Sequence, residues 1–316
     1  MRTSTPASGP VRLTKFQRRT RGMQRVKRAR HLTQFVFGGF IIVAGVRHQL
    51  SPDGGTASVD ALCPFGAVET LATWIMTGAM ISKIHPSNLV LGLALLVGTL
   101  LVGNAFCGWI CPFGAIQDAL SWVRRTLHIP SVTLPHAVDA ALRWGRFVVL
   151  AVILYFSYAT ARLWFADYDP YVTLFGLHWL FEGPSDALWI ALGILGVVVA
   201  GSVVIDRFWC RYLCPLGGVL SVVGRFSLIR IRRSTASCTD CTLCDKPCPV
   251  GIEPSKAKPF VSADCIGCMD CVATCPVPHA LTLSAPVFLG IPRPGAEPAP
   301  TATRAHRESV HAGRES

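Results

Sequence analysis

Four apolar stretches, residues 32–46, 87–106, 147–165 and 187–205, hold among them a single charged residue, Arg162. A bilayer core asks for about 20 mostly apolar residues per helix, and in lipid each backbone polar group must be satisfied within its own segment. A chain with four such stretches is thereby constrained to pass through a membrane as helices. Only 15% of its 316 residues are charged, against about 25% in an ordinary soluble domain. The first stretch is the shortest, and local bilayer thinning would accommodate it. Residues 67–82 (AVETLATWIMTGAMIS) are apolar but carry Glu69. They read as an amphipathic or re-entrant helix on the outer side, because a fifth crossing would reverse the sidedness of all that follows.

The net charge of +12 is distributed by side. Ten Lys or Arg and no acid precede Leu32, four Arg lie between Cys107 and Arg146, and six lie from Arg207 to Arg233. Segments on the opposite side hold three, Arg47, Lys83 and Arg162. Basic residues collect on the cytoplasmic side of membrane proteins and meet anionic lipid there. The expected topology is a multi-pass protein of a bacterial inner membrane with both termini cytoplasmic. No aromatic-interleaved basic fold accompanies the basic run, so nucleic acid is excluded as a partner. Residues 1–31 and 286–316 lack apolar periodicity and read as a disordered basic arm and a disordered tail.

Within the cytoplasmic segment at 234–285, CTDCTLCDKPCP begins at Cys238 and CIGCMDCVATCP at Cys265. Thirteen cysteines in tight local groups, in a chain with long apolar runs, are unlike a secreted disulfide scaffold. The spacing C-x2-C-x2-C-x3-C-P is the bacterial ferredoxin run, in which three close thiolates hold one 4Fe-4S cluster and the fourth reaches the other. Cluster one falls to Cys238, Cys241, Cys244 and Cys275, and cluster two to Cys265, Cys268, Cys271 and Cys248. A zinc ribbon would need only paired cysteines and gives no reason for the third and fourth Cys or the prolines Pro249 and Pro276. A domain this small buries too little apolar surface to stand without its clusters.

FCGWICPFGA (106–115) follows the second stretch and WCRYLCPLGG (209–218) the fourth, an internal repeat of span plus C-x3-C-P at 107–112 and 210–215. Cys107 with Cys111, and Cys210 with Cys214, stand at i, i+4, which puts both sulfurs on one face of a helix, and the proline then interrupts it. Four such thiols suit an additional metal centre, a redox dithiol or a Cu(I) site. Buried cysteine as a packing residue is the competing reading. A third CPFG, at Cys63, lacks the earlier Cys and is kept as an outer-side contact for a partner. The outer loop FADYDPYVTLFGLHWLF (165–181) offers Asp167, Asp169 and His178 for a quinone pocket with a proton acceptor, or an interfacial aromatic belt.

Together ALCPFGAVET, CGWICPFGA, DYDPYVTLF, CRYLCPLGG and the doubled ferredoxin run resemble the membrane-bound polyferredoxins of the NapH, NosR and CcoG kind, most nearly the NapH type, over residues 32–283. The resemblance implies an α-helical membrane domain (32–233) with four transmembrane helices, followed by an α+β ferredoxin domain with two 4Fe-4S clusters in the cytoplasm. It also implies electron passage between quinol and a partner protein. The NosR-type flavin domain and the CcoG-type immunoglobulin-like extension have no counterpart in the sequence. There is no general-base or nucleophile constellation and no nucleotide-binding glycine run. The expected activity is one-electron transfer as a component of an oxidoreductase, with membrane lipid and a redox protein as partners. Copper reduction or metalloenzyme assembly through the C-x3-C-P thiols is the alternative.

Overall fold

The computed structural model describes residues 15–51, 59–78, 86–132, 134–160, 163–181, 185–277 and 279–284. The tail at 286–316, the first fourteen residues, Lys83, Arg162 and the side chain of His178 lie outside the described residues.

Helices occupy each of the four apolar stretches. The first, α1 (Lys15–Leu50), is continuous from Lys15 into the apolar stretch, which corrects the expectation of disorder over residues 15–31. Lys, Arg and Gln are good helix formers, and the arm is tied down by Lys27 and Arg30, which pair with Asp270 at 2.7 and 3.6 Å. After α2 (Phe65–Thr77) come α3 (Pro86–Val102), α4 (Ala105–Trp109), α5 (Pro112–Thr126), α6 (His136–Leu142) and α7 (Gly145–Thr160). Then follow α8 (Pro170–Phe175), α9 (His178–Phe181), α10 (Asp186–Val204) and α11 (Pro215–Val223).

Residues 23–50 of α1 and all of α10 are long and apolar enough to cross a membrane. The helices at the second and third stretches are shorter, 17 residues in α3 and 16 in α7. Large apolar side chains stand exposed along all four, among them Phe35, Phe40, Leu93, Val148, Tyr155 and Val197. Water does not tolerate a contiguous apolar surface of this kind, and its exposure associates the chain with a membrane. The reading of 67–82 as a helix is realised in α2, which packs on α3 and α7. Its Glu69 points inward and accepts a 2.6 Å hydrogen bond from the fully buried Ser157 hydroxyl of α7.

Helix starts follow the local chemistry. Asp169 caps α8 by accepting from the Tyr171 amide at 2.9 Å, with Pro170 in the first position, and Ser185 caps α10 through the Leu188 amide. Pro112 and Pro215 open α5 and α11, each preceded by an extended cysteine, because proline suits the first helical position and disfavours helix in the residue before it.

The segment that carries the ferredoxin cysteines is bracketed by β1 (Arg230–Arg233) and β2 (Leu281–Ser284), an antiparallel pair with Arg230 opposite Ser284. One short helix, α12 (Asp270–Thr274), completes it. Two hydrogen bonds, from the Leu228 and Ile229 amides to the Leu100 and Leu101 carbonyls, fix the chain entering β1 against the end of α3.

Candidate redox centre

The two C-x3-C-P segments share one backbone device. The Cys111 amide donates to the Phe106 carbonyl and the Cys214 amide to the Trp209 carbonyl, at 2.9 and 2.8 Å. Each bond reaches back five residues, the wide turn of a π-helix, a form that concentrates at functional sites. A plain α-helical i, i+4 pair was expected. The proline after each second cysteine explains the difference, since it starts a new helix and the turn before it widens.

All four cysteines, Cys107, Cys111, Cys210 and Cys214, line a single cavity of about 200 Å³ with a mostly apolar wall. Its other end reaches Cys63 and Asp169. There the Cys63 Sγ stands 3.9 Å from the Asp169 carboxylate, and the T-shaped Phe65–Phe165 pair forms a wall. Of the residues assigned to a quinone pocket, Asp169 reaches this cavity, whereas Asp167 is exposed and off its wall.

The cysteines of the two ferredoxin runs fall into two groups. Cys238, Cys241, Cys244 and Cys275 line one small pocket, and Cys248, Cys265, Cys268 and Cys271 line another. No three His, Cys, Asp or Glu among the described residues close to the spacing of a single bound ion. Rings of thiols about a volume fit a polynuclear group instead. Burial pushes the Cys244 and Cys268 thiols up to about 12 and Cys265 up to about 11. Alone they would stay protonated at neutral pH, so a bound cationic centre is what would hold them as thiolates.

The membrane-side thiols are clamped onto the second ferredoxin ring. Gly108 lies so close to Ile266 that a Cβ would overlap its carbonyl oxygen. Trp109 donates its indole N–H to the Gly267 carbonyl at 3.1 Å, and Asn104 reaches the Ala263 carbonyl at 2.9 Å. From the second repeat, Arg211 packs on Gly251, a glycine at φ +61° whose missing side chain leaves room for the guanidinium. Arg143 adds a 2.8 Å bond to the Val250 carbonyl. Both touched loops, at Cys265–Cys268 and at Cys248–Gly251, carry cysteines that line the same pocket, and Cys107 packs with Cys248 and Cys268 in one apolar cluster.

Sequence reasoning missed the polar support beneath the thiols. Arg207, without solvent exposure and at φ +54°, holds Asp118 through two bonds of 2.8 and 2.7 Å and donates to the Cys107 carbonyl at 2.8 Å. Asp118 also accepts from Gln34 and Arg30, at 3.1 and 3.5 Å. Burial opposes its charge, but the Arg207 guanidinium outweighs this and keeps the carboxyl below its usual range. Gln117 and Asp118, adjacent and polar in the helix directly after a C-x3-C-P motif, were the available signal.

The family described as a 4Fe-4S binding domain matches at 84–130 and again at 187–234, one match over each C-x3-C-P motif, and a 4Fe-4S dicluster domain matches at 230–276. The putative electron transport protein YccM of Escherichia coli is 32% identical over 230 residues, 72% of this chain and 63% of that protein. NirI of Paracoccus denitrificans is 31% identical over 61% of the chain and 29% of its own length. The ferredoxin-type protein NapH of Haemophilus influenzae is 30% identical over 54% of the chain and 59% of its length. The chain thus spans less than two thirds of each of these relatives. No solved structure matches.

Proposed function

The chain belongs to the NapH/NosR-like family of ferredoxin-type electron-transport proteins, and from that premise we propose that it relays single electrons between the membrane and a cytoplasmic partner through three thiol-held iron–sulfur centres. The observation that carries this is the order of the rings. Cys107, Cys111, Cys210 and Cys214 face the apolar cavity on one side and, through Gly108 and Arg211, the ring of Cys248, Cys265, Cys268 and Cys271 on the other. That ring adjoins the last one, since Cys244 and Cys275 share a core cluster with Cys265 and Cys271. Cys241, in the last ring, is exposed and marks the exit toward a soluble partner. An iron–sulfur cluster supplies one-electron chemistry when bound; the chain orders its ligands and keeps water out.

Quinol is the membrane donor that suits the cavity, and the site for it is relocated from the loop to the cavity's Cys63–Asp169 end. Oxidation of quinol releases both protons with both electrons, and Asp169 is placed to accept a proton at its carboxylate. Positive charge predominating on the segments beside the ferredoxin domain supports the reading of that domain as cytoplasmic, with four helices crossing.

The test is iron and sulfide quantitation with electron paramagnetic resonance on anaerobically purified protein. The wild type should show three centres, and the variant with Cys107, Cys111, Cys210 and Cys214 all changed to Ser should lose one while keeping the ferredoxin pair. Equal iron in both would overturn the third centre, and copper lost in place of iron would favour metal handling. A second test addresses the clamp. Gly108→Ala should retain all iron yet slow reduction of the ferredoxin pair by quinol on the order of 10- to 100-fold, since a side chain there must push the loops apart and small misplacements cost that much. An unchanged rate would remove the clamp from the electron path.

A further inference from the structure

We propose that Gln117 raises the reduction potential of the centre held by Cys107, Cys111, Cys210 and Cys214, by donating its side-chain N–H to the Cys210 sulfur. The inference rests on the reading of those four thiols as a redox centre.

The Gln117 Nε2 lies 3.0 Å from the Cys210 Sγ. Which end of the amide faces the sulfur follows from its other partners. The Trp209 backbone N–H, which can only donate, points at the Gln117 Oε1 at 3.2 Å, and the Ser202 hydroxyl lies 3.4 Å from the same oxygen. The oxygen is therefore engaged, and the NH2 is left for the sulfur. Gln117 is 1% exposed and Ser202 has no exposure, so water competes for neither end. A buried amide needs partners for both its groups, and the sulfur is the acceptor this one is given. Cys214, in the same repeat as Cys210, receives a backbone N–H instead, from Gly217 at 3.3 Å. Gln117 is thus a positioning residue that also polarises one ligand.

The physical consequence has a sign. A cluster with four thiolate ligands becomes more negative on reduction, and an N–H directed at a ligand sulfur stabilises the reduced form more than the oxidised one. Removing the donor lowers the potential.

The experiment uses the full chain with its clusters, in detergent. Redox titration followed by electron paramagnetic resonance should show that Gln117→Leu shifts the ratio of reduced to oxidised centre about tenfold toward oxidised at the wild-type midpoint, equal to 59 mV for one electron. The ferredoxin pair should keep its potentials. In wild-type protein labelled with glutamine bearing nitrogen-15 in its side chain, pulsed resonance should detect coupling of the centre to that nitrogen, and Gln117→Leu should abolish it. A shift below twofold with iron retained overturns the proposal, as does absence of the coupling in the wild type. Where Gln117→Leu loses the centre, the wild-type coupling alone decides. If the four-Ser variant keeps every signal, the site reading itself falls and takes this inference with it, an outcome distinct from an unshifted potential.

Discussion

Removing iron with a chelator is expected to unfold residues 230–284 while the helices of the membrane domain stay folded. The regular structure of this segment is two four-residue strands and one five-residue helix. A two-stranded pair is marginal by itself, and so short a helix pays for nucleation with too few bonds. The apolar clusters of the domain are built around its ligands. Cys244, Cys271 and Cys275 are buried beside Ile231, Val261 and Leu281, and Cys268 is buried beside Val250 and Ile266. A unit below about 70–80 residues rarely draws more than about 3–5 kcal/mol from its own core. Emptying both rings takes the centre out of that core, and the domain has no reserve. Hydrogen exchange read by mass spectrometry would show the amides of 230–284 losing protection on chelation and those of α7 and α10 keeping theirs. Retained protection in the iron-free protein would mean that packing alone holds the domain.

Much of this arrangement was legible in the sequence because it depends on local spacing. The spacing of the ferredoxin runs already separates the cysteines into the groups that line two pockets, with Cys248 and Cys275 exchanged between the runs, since a C-x2-C-x2-C run can wrap a cluster without help from distant residues. The four apolar stretches marked the sites of α1, α3, α7 and α10, because a long apolar run leaves a compositional record. Three things were hidden. The helix through the basic arm depends on Asp270, more than 200 residues away, as the partner of Lys27. The docking of both repeats on one ring depends on Gly108 and Gly251, whose role is to lack a side chain where another backbone or a guanidinium comes close. Arg207 lies in a segment of basic residues that positive-inside reasoning treats as solvated, and its complete burial is visible only once Asp118 is placed beside it. The two carboxylates offered for a quinone pocket part by a similar cause. Asp167 and Asp169 are two residues apart, but Asp169 is turned inward as the cap of α8 while Asp167 ends the preceding turn in solvent.

Asp118→Ala should be the most damaging single change outside the cysteines. It would leave the Arg207 guanidinium, with no exposure, without its carboxylate and, among the described residues, with the Cys107 carbonyl as its remaining hydrogen-bond partner. Breaking one side of a buried ion pair costs about 3–5 kcal/mol, because the remaining charge stays desolvated. In detergent, thermal or denaturant unfolding should register that loss at neutral pH. The sign with pH follows from the lowered carboxyl. Its contribution is fully present above the unfolded value of about 3.9 and disappears as pH falls through the still lower folded value, so the gap between variant and wild type should narrow only in strong acid. Arg207→Leu added to Asp118→Ala should recover part of the cost, since no uncompensated charge then remains, and the double-mutant cycle isolates the pair. The same carboxylate accepts from Arg30, whose other arm reaches Asp270 at the start of α12. Asp118→Ala should therefore also free the α1 arm from the ferredoxin domain, seen as faster exchange of amides near residue 30. A single variant as stable as the wild type at neutral pH, with that exchange unchanged, would mean that Asp118 is not what holds the thiol support together.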